Sequence, residues 1–347
     1  MKAVHTFFIE GFPDFITYEE LLTDAGIEVH KTFCMNKDDI VKNCAEADGI
    51  IAIGGKMVPE YYFGEEAFKE FNKCKVIACM STGYDSVDVE AATRHGICVV
   101  NVPDYCIEEV SDQVMALILG CSRKFYKVLP LVRNGRWTLS PDVMAQLRPV
   151  PRLMGQTLGL IGFGNIPRAV VHKARAFGMR VITYSPHVPE AMFAVFRIEA
   201  VGLDQLLAES DYVSMHAALT PHTEKMMSME QFKKMKPTAY FINTARGGLV
   251  DEQALHTALT EGIIAGAGLD VLEPEPPVIS NPLLTLDNVL VTGHFGHYSE
   301  ESHVELFRRP WEEVARVLQG QWPRGLVNPE VKEKATSKWG THFGKPL

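Results

Sequence analysis

Short apolar runs alternate with amphipathic stretches along nearly the whole chain. The early runs are AVHTFFI (3–9), GIIAIGG (49–55), KVIAC (75–79) and ICVVN (97–101). After a break come TLGLIG (157–162), MRVITY (179–184), YVSMH (212–216), AYFINT (239–244), GAGLD (266–270) and NVLVTG (288–293). Continuous apolar runs separated by helix-length segments predict βαβ units and parallel sheets buried on both faces. Four runs in the first set and six in the second predict two α/β domains of unequal size. Between them a helix is predicted over residues 107–126, with Ile107, Val110, Val114, Leu117 and Cys121 on one face. Asp104, Glu108 and Glu109 place negative charge at its start, where the helix dipole favours it. This helix reads as an interdomain connector. A second helix is predicted over residues 300–320. Residues 332–347 are polar with Trp339 and Phe343 embedded, either a docked extension or a loose end.

Composition narrows the class. The 347 residues suggest about two domains at roughly 150 residues each. With 46% apolar and 22% charged residues, a disordered chain is excluded. A net charge of −9 without a basic run argues against nucleic acid and anionic membrane as partners. No stretch reaches the ~18 uninterrupted apolar residues of a membrane span. The start, MKAVHTFFIEGFPDF, meets acid and proline too soon for a secretory signal, so the cytoplasm is expected. The seven cysteines form no CxxC pair and are expected to be reduced, buried small hydrophobes. All lie in the first 121 residues.

Strand TLGLIG runs into Gly162-Phe163-Gly164-Asn165-Ile166-Pro167-Arg168, and an amphipathic stretch follows. Strand, glycine turn and helix in this order suit a dinucleotide. Gly162 allows the tight turn, and Gly164 lets the backbone approach a pyrophosphate at the positive end of the helix. Pro167 replaces the third glycine of the pattern. Proline is tolerated in a first helical turn, and the N–H groups of Asn165 and Ile166 remain free for phosphate. Ser185 stands where an NAD site usually has an acid for the ribose 2′-hydroxyl. His187 follows, and no arginine comes before Arg197, so the sequence leaves NAD versus NADP open. The candidate cofactor residues here are Gly162, Phe163, Gly164, Asn165, Ile166 and Ser185.

Three further motifs end later strands: Asn243-Thr244-Ala245-Arg246-Gly247-Gly248, Gly268-Leu269-Asp270-Val271-Leu272-Glu273-Pro274-Glu275-Pro276, and Thr292-Gly293-His294-Phe295. Ligands of open α/β sheets bind beyond the carboxyl ends of the strands. An arginine, a carboxylate and a histidine delivered there suit reduction of a 2-keto acid. Arg246 can fork onto a carboxylate or polarise the keto oxygen. His294 as imidazolium can supply a proton, and Glu275 beside it would hold the ring and favour the charged form. Each also has a plain structural role: a loop cap, an exposed acid in a proline-rich turn, a histidine at a strand end.

TARGGLVDEQAL, LDVLEPEP, the histidine after VLVTG and the glycine loop together resemble the D-isomer-specific 2-hydroxyacid dehydrogenase family. STGYDSVDVEAATRHGICVVNVPDYCIEEVSDQ, HYSEESHVELFRR and the VNPEV ending extend the resemblance over roughly residues 45–331. The YCIEEVSD and YSEES segments are most similar to the branch related to the C-terminal-binding proteins. The resemblance implies two doubly wound parallel-sheet domains. A Rossmann-type nucleotide domain, residues 105–297, is inserted into a flavodoxin-like substrate domain of residues 1–104 and 298–347. It implies catalytic Arg246, Glu275 and His294, and backbone N–H groups near Ser81, Thr82 and Gly83 on the substrate carboxylate. Asp270 matches the residue that contacts the nicotinamide carboxamide. Thr244 and Ala245 line the same cofactor, and His216, Ala217 and their neighbours pass beside the adenine and ribose. A homodimer through the nucleotide domains is implied.

Two departures from the family stand near the histidine. Gly293 replaces a usual proline, which predicts a looser loop. His297 replaces a tryptophan common in the related branch and bears on substrate shape. The function these features predict is an NAD(P)-dependent oxidoreductase interconverting a 2-keto acid and a D-2-hydroxy acid. One alternative is a hydride-only formate or phosphite dehydrogenase; Glu275 argues against formate, whose enzymes carry an amide there. The other is an NAD(H)-sensing binding protein of corepressor type.

Overall fold

The computed structural model describes residues 1–8, 17–55, 60–137 and 140–340. Ile9 and Phe343, quoted above, lie outside the described residues. The chain divides into two compact units. The first is Met1–Cys106 with Ser299–Leu347, and the second is Ile107–Tyr298.

The first unit is built on a parallel sheet of β1 (Lys2–His5), β2 (Glu28–Lys31), β3 (Gly49–Ala52), β4 (Val76–Cys79) and β5 (Cys98–Val100), in the order β2-β1-β3-β4-β5. β3 and β4 are buried at every position, which is why they read as unbroken apolar runs. The sequence predicted four strands here, and the structure has five. The missed one, β2, reads EVHK and forms the sheet edge, with Glu28 and His30 exposed. An edge strand sheds apolar character because its open backbone invites pairing, so the run signal vanishes there.

The Glu300–Leu318 helix starts at Ser299, whose hydroxyl accepts from Ser302 N while the Ser302 side chain accepts from Ser299 N. It packs Leu306, Phe307, Trp311, Val314 and Val317 into the core that holds Val76, Ala78 and Cys98. Burying each such side chain contributes roughly 1.5–3 kcal/mol. The tail docks through a helix at Val331–Trp339, with Val331 and Ala335 buried and Trp339 Nε1 donating to Gly96 O at 3.1 Å. All seven cysteines are buried and outside any disulfide.

His5, on β1, is 1% exposed, and neither ring nitrogen has a partner. Burial first, and then the Lys31 charge, lower its pKa from 6.5 to about 4. The unfolded chain therefore binds a proton that the folded one refuses. Stability is full above pH 6.5 and falls as the pH drops towards 4, by about 3 kcal/mol if the whole shift is expressed. Unfolding free energies from urea titration at pH 7.0 and 4.5 should thus converge by about that amount in His5→Phe relative to the parent.

The second unit carries seven parallel strands: β6 (Thr157–Ile161), β7 (Arg180–Tyr184), β8 (Glu199–Ala200), β9 (Tyr212–Met215), β10 (Tyr240–Asn243), β11 (Gly266–Leu269) and β12 (Val289–Val291). Their order is β12-β11-β10-β9-β6-β7-β8. Six were predicted. The seventh, β8, is two exposed residues at the other edge, too short for any pattern. From β6 the chain steps outward to β7 and β8, then returns to β6's other side with β9. That reversal between β6 and β9 leaves a crevice at the carboxyl ends of the strands.

The predicted 107–126 helix is shorter, at Ile107–Ser122. Lys124 takes a left-handed φ of 52°, which breaks the helix, and Tyr126 belongs to a new one at Phe125–Arg133. The first of these helices packs inside the second unit, where Lys173 of the Asn165–Ala176 helix bonds Ser111 Oγ and Asp112 at 2.7 Å each. It is therefore a layer of that unit and not a free connector. Among the described residues no helix is long and apolar enough to cross a membrane.

Candidate active site

The glycine turn leaves β6 at Gly162, whose φ is +101°. A Cβ there would lie 2.8 Å from both the carbonyl carbon and oxygen of His216, so the turn packs directly on the strand end beyond β9. Gly162 N donates to Tyr184 O at 2.8 Å, which places the end of β7, and Ser185 after it, beside the same turn. At Gly164 an added Cβ would meet nothing within 4 Å. This open side faces the start of the Asn165–Ala176 helix, which has no side-chain cap. The N–H groups of Asn165 and Ile166 are left for an anion. His216 hydrogen-bonds Ser214 Oγ through Nε2 at 2.9 Å, and burial lowers its pKa to about 3. It is neutral at physiological pH. Thr244 Oγ1, just past β10, is buried with no partner, an orphan hydroxyl suited to a bound polar group. These features fit a dinucleotide along the carboxyl ends of β6, β7, β9 and β10.

Gly162→Ala meets both the close approach and the positive φ. It should weaken NADH binding at least about tenfold and lower stability by roughly 1–3 kcal/mol. Fluorescence titration and thermal melting check this. Gly164→Ala, with open space at its Cβ, should keep the melting temperature and lose affinity alone.

The chemical group lies beyond β10, β11 and β12. Asn243, at the end of β10, is 1% exposed. Its side-chain amide donates to Arg246 O at 2.9 Å, and its Oδ1 accepts from Ala245 N at 3.0 Å. The loop carrying Thr244, Ala245 and Arg246 is thereby pinned. Gly247 has no room for a side chain, since a Cβ would lie 2.2 Å from the Leu272 carbonyl. That contact seats the arginine loop against the turn that presents Glu275. The same turn is held by Glu252, which accepts from Glu273 N at 2.7 Å and from Asn281 Nδ2 at 2.9 Å.

Glu275 Oε2 lies 2.6 Å from His294 Nδ1, and Glu275 Oε1 accepts from Leu272 N at 3.3 Å. With Nδ1 on the carboxylate, the imidazole presents Nε2 outward. His294 itself has a left-handed φ of 59°, after Gly293 at 65°. Proline, fixed near −65°, could not occupy position 293 in this loop. Nor is the loop slack. His294 N donates to Asp270 O at 2.5 Å. The Asp270 carboxylate, on a residue 3% exposed, accepts from Phe295 N at 3.0 Å, Gly296 N at 2.9 Å and Thr292 Oγ1 at 2.5 Å. Gln113 Nε2 donates to Thr292 Oγ1 at 2.8 Å. His297 Nδ1 bonds His294 O at 3.1 Å, and the two rings stand 6.0 Å apart, edge to face.

The structure thus brings Arg246, Glu275, His294, Asp270, Thr244, Ala245 and His297 into one neighbourhood, with the glycine turn, Ser185, His216 and Ala217 along the same sheet end. Ser81, Thr82 and Gly83 belong to the first unit, past β4. Their side chains and carbonyls brace the loop: Ser81 Oγ donates to Gly83 O at 2.5 Å, Thr82 Oγ1 to Val102 O at 3.2 Å, and Asn101 Nδ2 to Thr82 O at 2.7 Å. Among the described residues no partner takes the three N–H groups. Sequence reasoning missed the holders Asn243, Gln113 and Thr292. Asn243 and Thr292 sat inside the quoted strand-end motifs and Gln113 closed a longer quoted string, but nothing marked any of them as a holder.

Residues 115–296 match the family model described as D-isomer specific 2-hydroxyacid dehydrogenase, NAD binding domain. A glyoxylate reductase from Korarchaeum cryptofilum is 39% identical over 266 residues, 77% of this chain and 80% of that one. A D-3-phosphoglycerate dehydrogenase from Methanocaldococcus jannaschii is 36% identical over 321 residues; the match covers 92% of this chain and 59% of that longer protein. A crystal structure of a protein from Thermus thermophilus superposes with a TM-score of 0.80 at 34% identity, over 94% of this chain and all of the other. The second unit, with its glycine turn at the strand reversal, is an NAD-binding Rossmann domain. Matched over more than half its length and by near full-length relatives, the chain belongs to the D-isomer-specific 2-hydroxyacid dehydrogenase family.

Proposed function

We propose that this chain interconverts a 2-keto acid and a D-2-hydroxy acid with a nicotinamide dinucleotide. The observation that carries the reading is the 2.6 Å bond between Glu275 and His294 Nδ1, which leaves Nε2 to exchange a proton. The dinucleotide, when bound, supplies the hydride to C2 and takes it back in the reverse direction. His294 Nε2 gives the proton that the new alkoxide needs, and it accepts the hydroxyl proton in oxidation. Glu275 fixes the ring and stabilises the imidazolium. Arg246 orients the substrate through its guanidinium fork. The free N–H groups of Ser81, Thr82 and Gly83 take the substrate carboxylate. Thr244, Ala245, Asp270, His216, Ala217 and Ser185 line the dinucleotide, and His297 shapes the pocket beside His294.

Two further parts belong to this reading. Phe125, Leu129 and Val132 lie exposed on one face of the Phe125–Arg133 helix, which buries none of its own residues. A second copy of the chain covers that face, so light scattering should read twice 38.6 kDa. Seven free, buried thiols suit a reducing compartment, and we place the protein in the cytoplasm.

The test is absorbance at 340 nm with NADH and NADPH over 2-keto acids from glyoxylate and hydroxypyruvate to branched and aromatic side chains. Turnover that Arg246→Ala loses supports the reading. Tight nucleotide binding with no turnover on any acid overturns it.

A further inference from the structure

We infer that Arg168 receives the 2′-phosphate of a 2′-phosphorylated nicotinamide dinucleotide, so that this site takes NADPH at least as well as NADH. The inference rests on the nucleotide site described above and concerns which form it holds. Arg168 stands in the first turns of the Asn165–Ala176 helix, four residues past Gly164. Its guanidinium lies 5.7 Å from the ring centroid of Phe163, the residue between the two loop glycines, and 5.8 Å from that of Phe196. Both contacts are within cation–π range. The Nε is buried without a hydrogen-bond partner. No carboxylate or carbonyl among the described residues bonds the terminal nitrogens, which reach solvent.

Two arginines nearby in the sequence are already committed. Arg175 donates to Phe196 O and Arg197 O, and Arg180 pairs with Glu199 and Glu209. Arg168 is instead a guanidinium resting against two rings that themselves meet edge to face at 5.5 Å, with its donors open. An arginine held in this way is pre-organised for phosphate. The other half of the argument is the end of β7. Gly162 N bonds Tyr184 O, so Ser185 adjoins the turn that carries Phe163, the ring against which the Arg168 guanidinium rests. An acid at Ser185 would repel a 2′-phosphate, whereas a hydroxyl can donate to it. The first acidic residue after β7 is Glu190, at the start of the next helix.

The experiment is fluorescence titration of NADPH and NADH into the whole chain and into Arg168→Gln and Arg168→Lys, with melting temperatures of the nucleotide-free proteins. Arg168→Gln should weaken NADPH binding about tenfold or more and NADH less than about threefold. Arg168→Lys should recover part of the NADPH affinity, and 2′-phospho-ADP-ribose should compete more weakly in the glutamine variant. Equal losses for both dinucleotides, or no loss for NADPH, overturn the inference, as does a parent chain that binds NADH and not NADPH. A parent chain that binds neither overturns the nucleotide site itself, and with it this inference.

Discussion

Replacing His294 by alanine should lower kcat by about 10²–10⁴-fold while leaving NADH affinity within about twofold. The prediction follows from where the ring is held. Nδ1 is fixed on Glu275 Oε2 at 2.6 Å, and the loop backbone is fixed on Asp270, so among the described residues the ring has one hydrogen-bond partner and one open nitrogen. Removing the ring takes away the proposed proton donor without touching the glycine turn, Thr244 or the strand ends proposed to hold the dinucleotide. Glu275→Gln should show a smaller loss, about 10–100-fold, because an amide can still bond the ring but cannot stabilise its charged form. Steady-state kinetics at saturating NADH, together with the pH profile of kcat/KM, separate the two variants. If both variants keep parental kcat, the proton passes elsewhere and the site reading fails.

The interior strands were legible because burial on both faces writes them as apolar runs, as in GIIA and VIAC. The edges were not. β2 carries Glu28, His30 and Lys31, and β8 has two residues, so neither leaves a hydrophobic signature. The helix that was expected to reach Tyr126 stops at Ser122 because Lys124 turns left-handed, a choice that tertiary packing makes and lysine does not announce. The side chains proposed to react stand out in the sequence for a different reason: Arg246, Glu275 and His294 lie in distinctive strings at strand ends. Their supports were harder to read. Asn243 acts through hydrogen bonds to the backbone two and three residues on, and Gln113 through one to a side chain far away in sequence, and an amide looks the same whether it faces solvent or clamps a loop. Gly293 was expected to loosen its loop in place of proline. Its φ of 65° shows a backbone path that proline could not follow, and Asp270 holds that path in place.

Asp270→Ala should destabilise the second unit by about 3–5 kcal/mol and cut kcat more than it weakens NADH binding. The carboxylate accepts from Phe295 N, Gly296 N and Thr292 Oγ1, and alanine would leave these donors without a partner in a site 3% exposed. A buried donor stripped of its acceptor costs roughly 1–3 kcal/mol, and more than one is stripped here. Gly296 is packed directly on this carboxylate, since a Cβ there would lie 2.8 Å from Asp270 Oδ2. Freed from this anchor, the loop loses its reason to hold His294 at a positive φ, and the ring leaves Glu275. Asp270→Asn keeps the shape but turns one acceptor oxygen into a donor facing an N–H. It should fold, with kcat lowered about 10–100-fold and hydrogen exchange raised across residues 292–297. That last readout distinguishes the two roles open to Asp270. If the residue serves only as a contact for the nicotinamide carboxamide, the asparagine variant loses NADH affinity and the nucleotide-free loop exchanges as in the parent. If it is the anchor of the histidine, exchange rises before any nucleotide is added, and kcat falls with it.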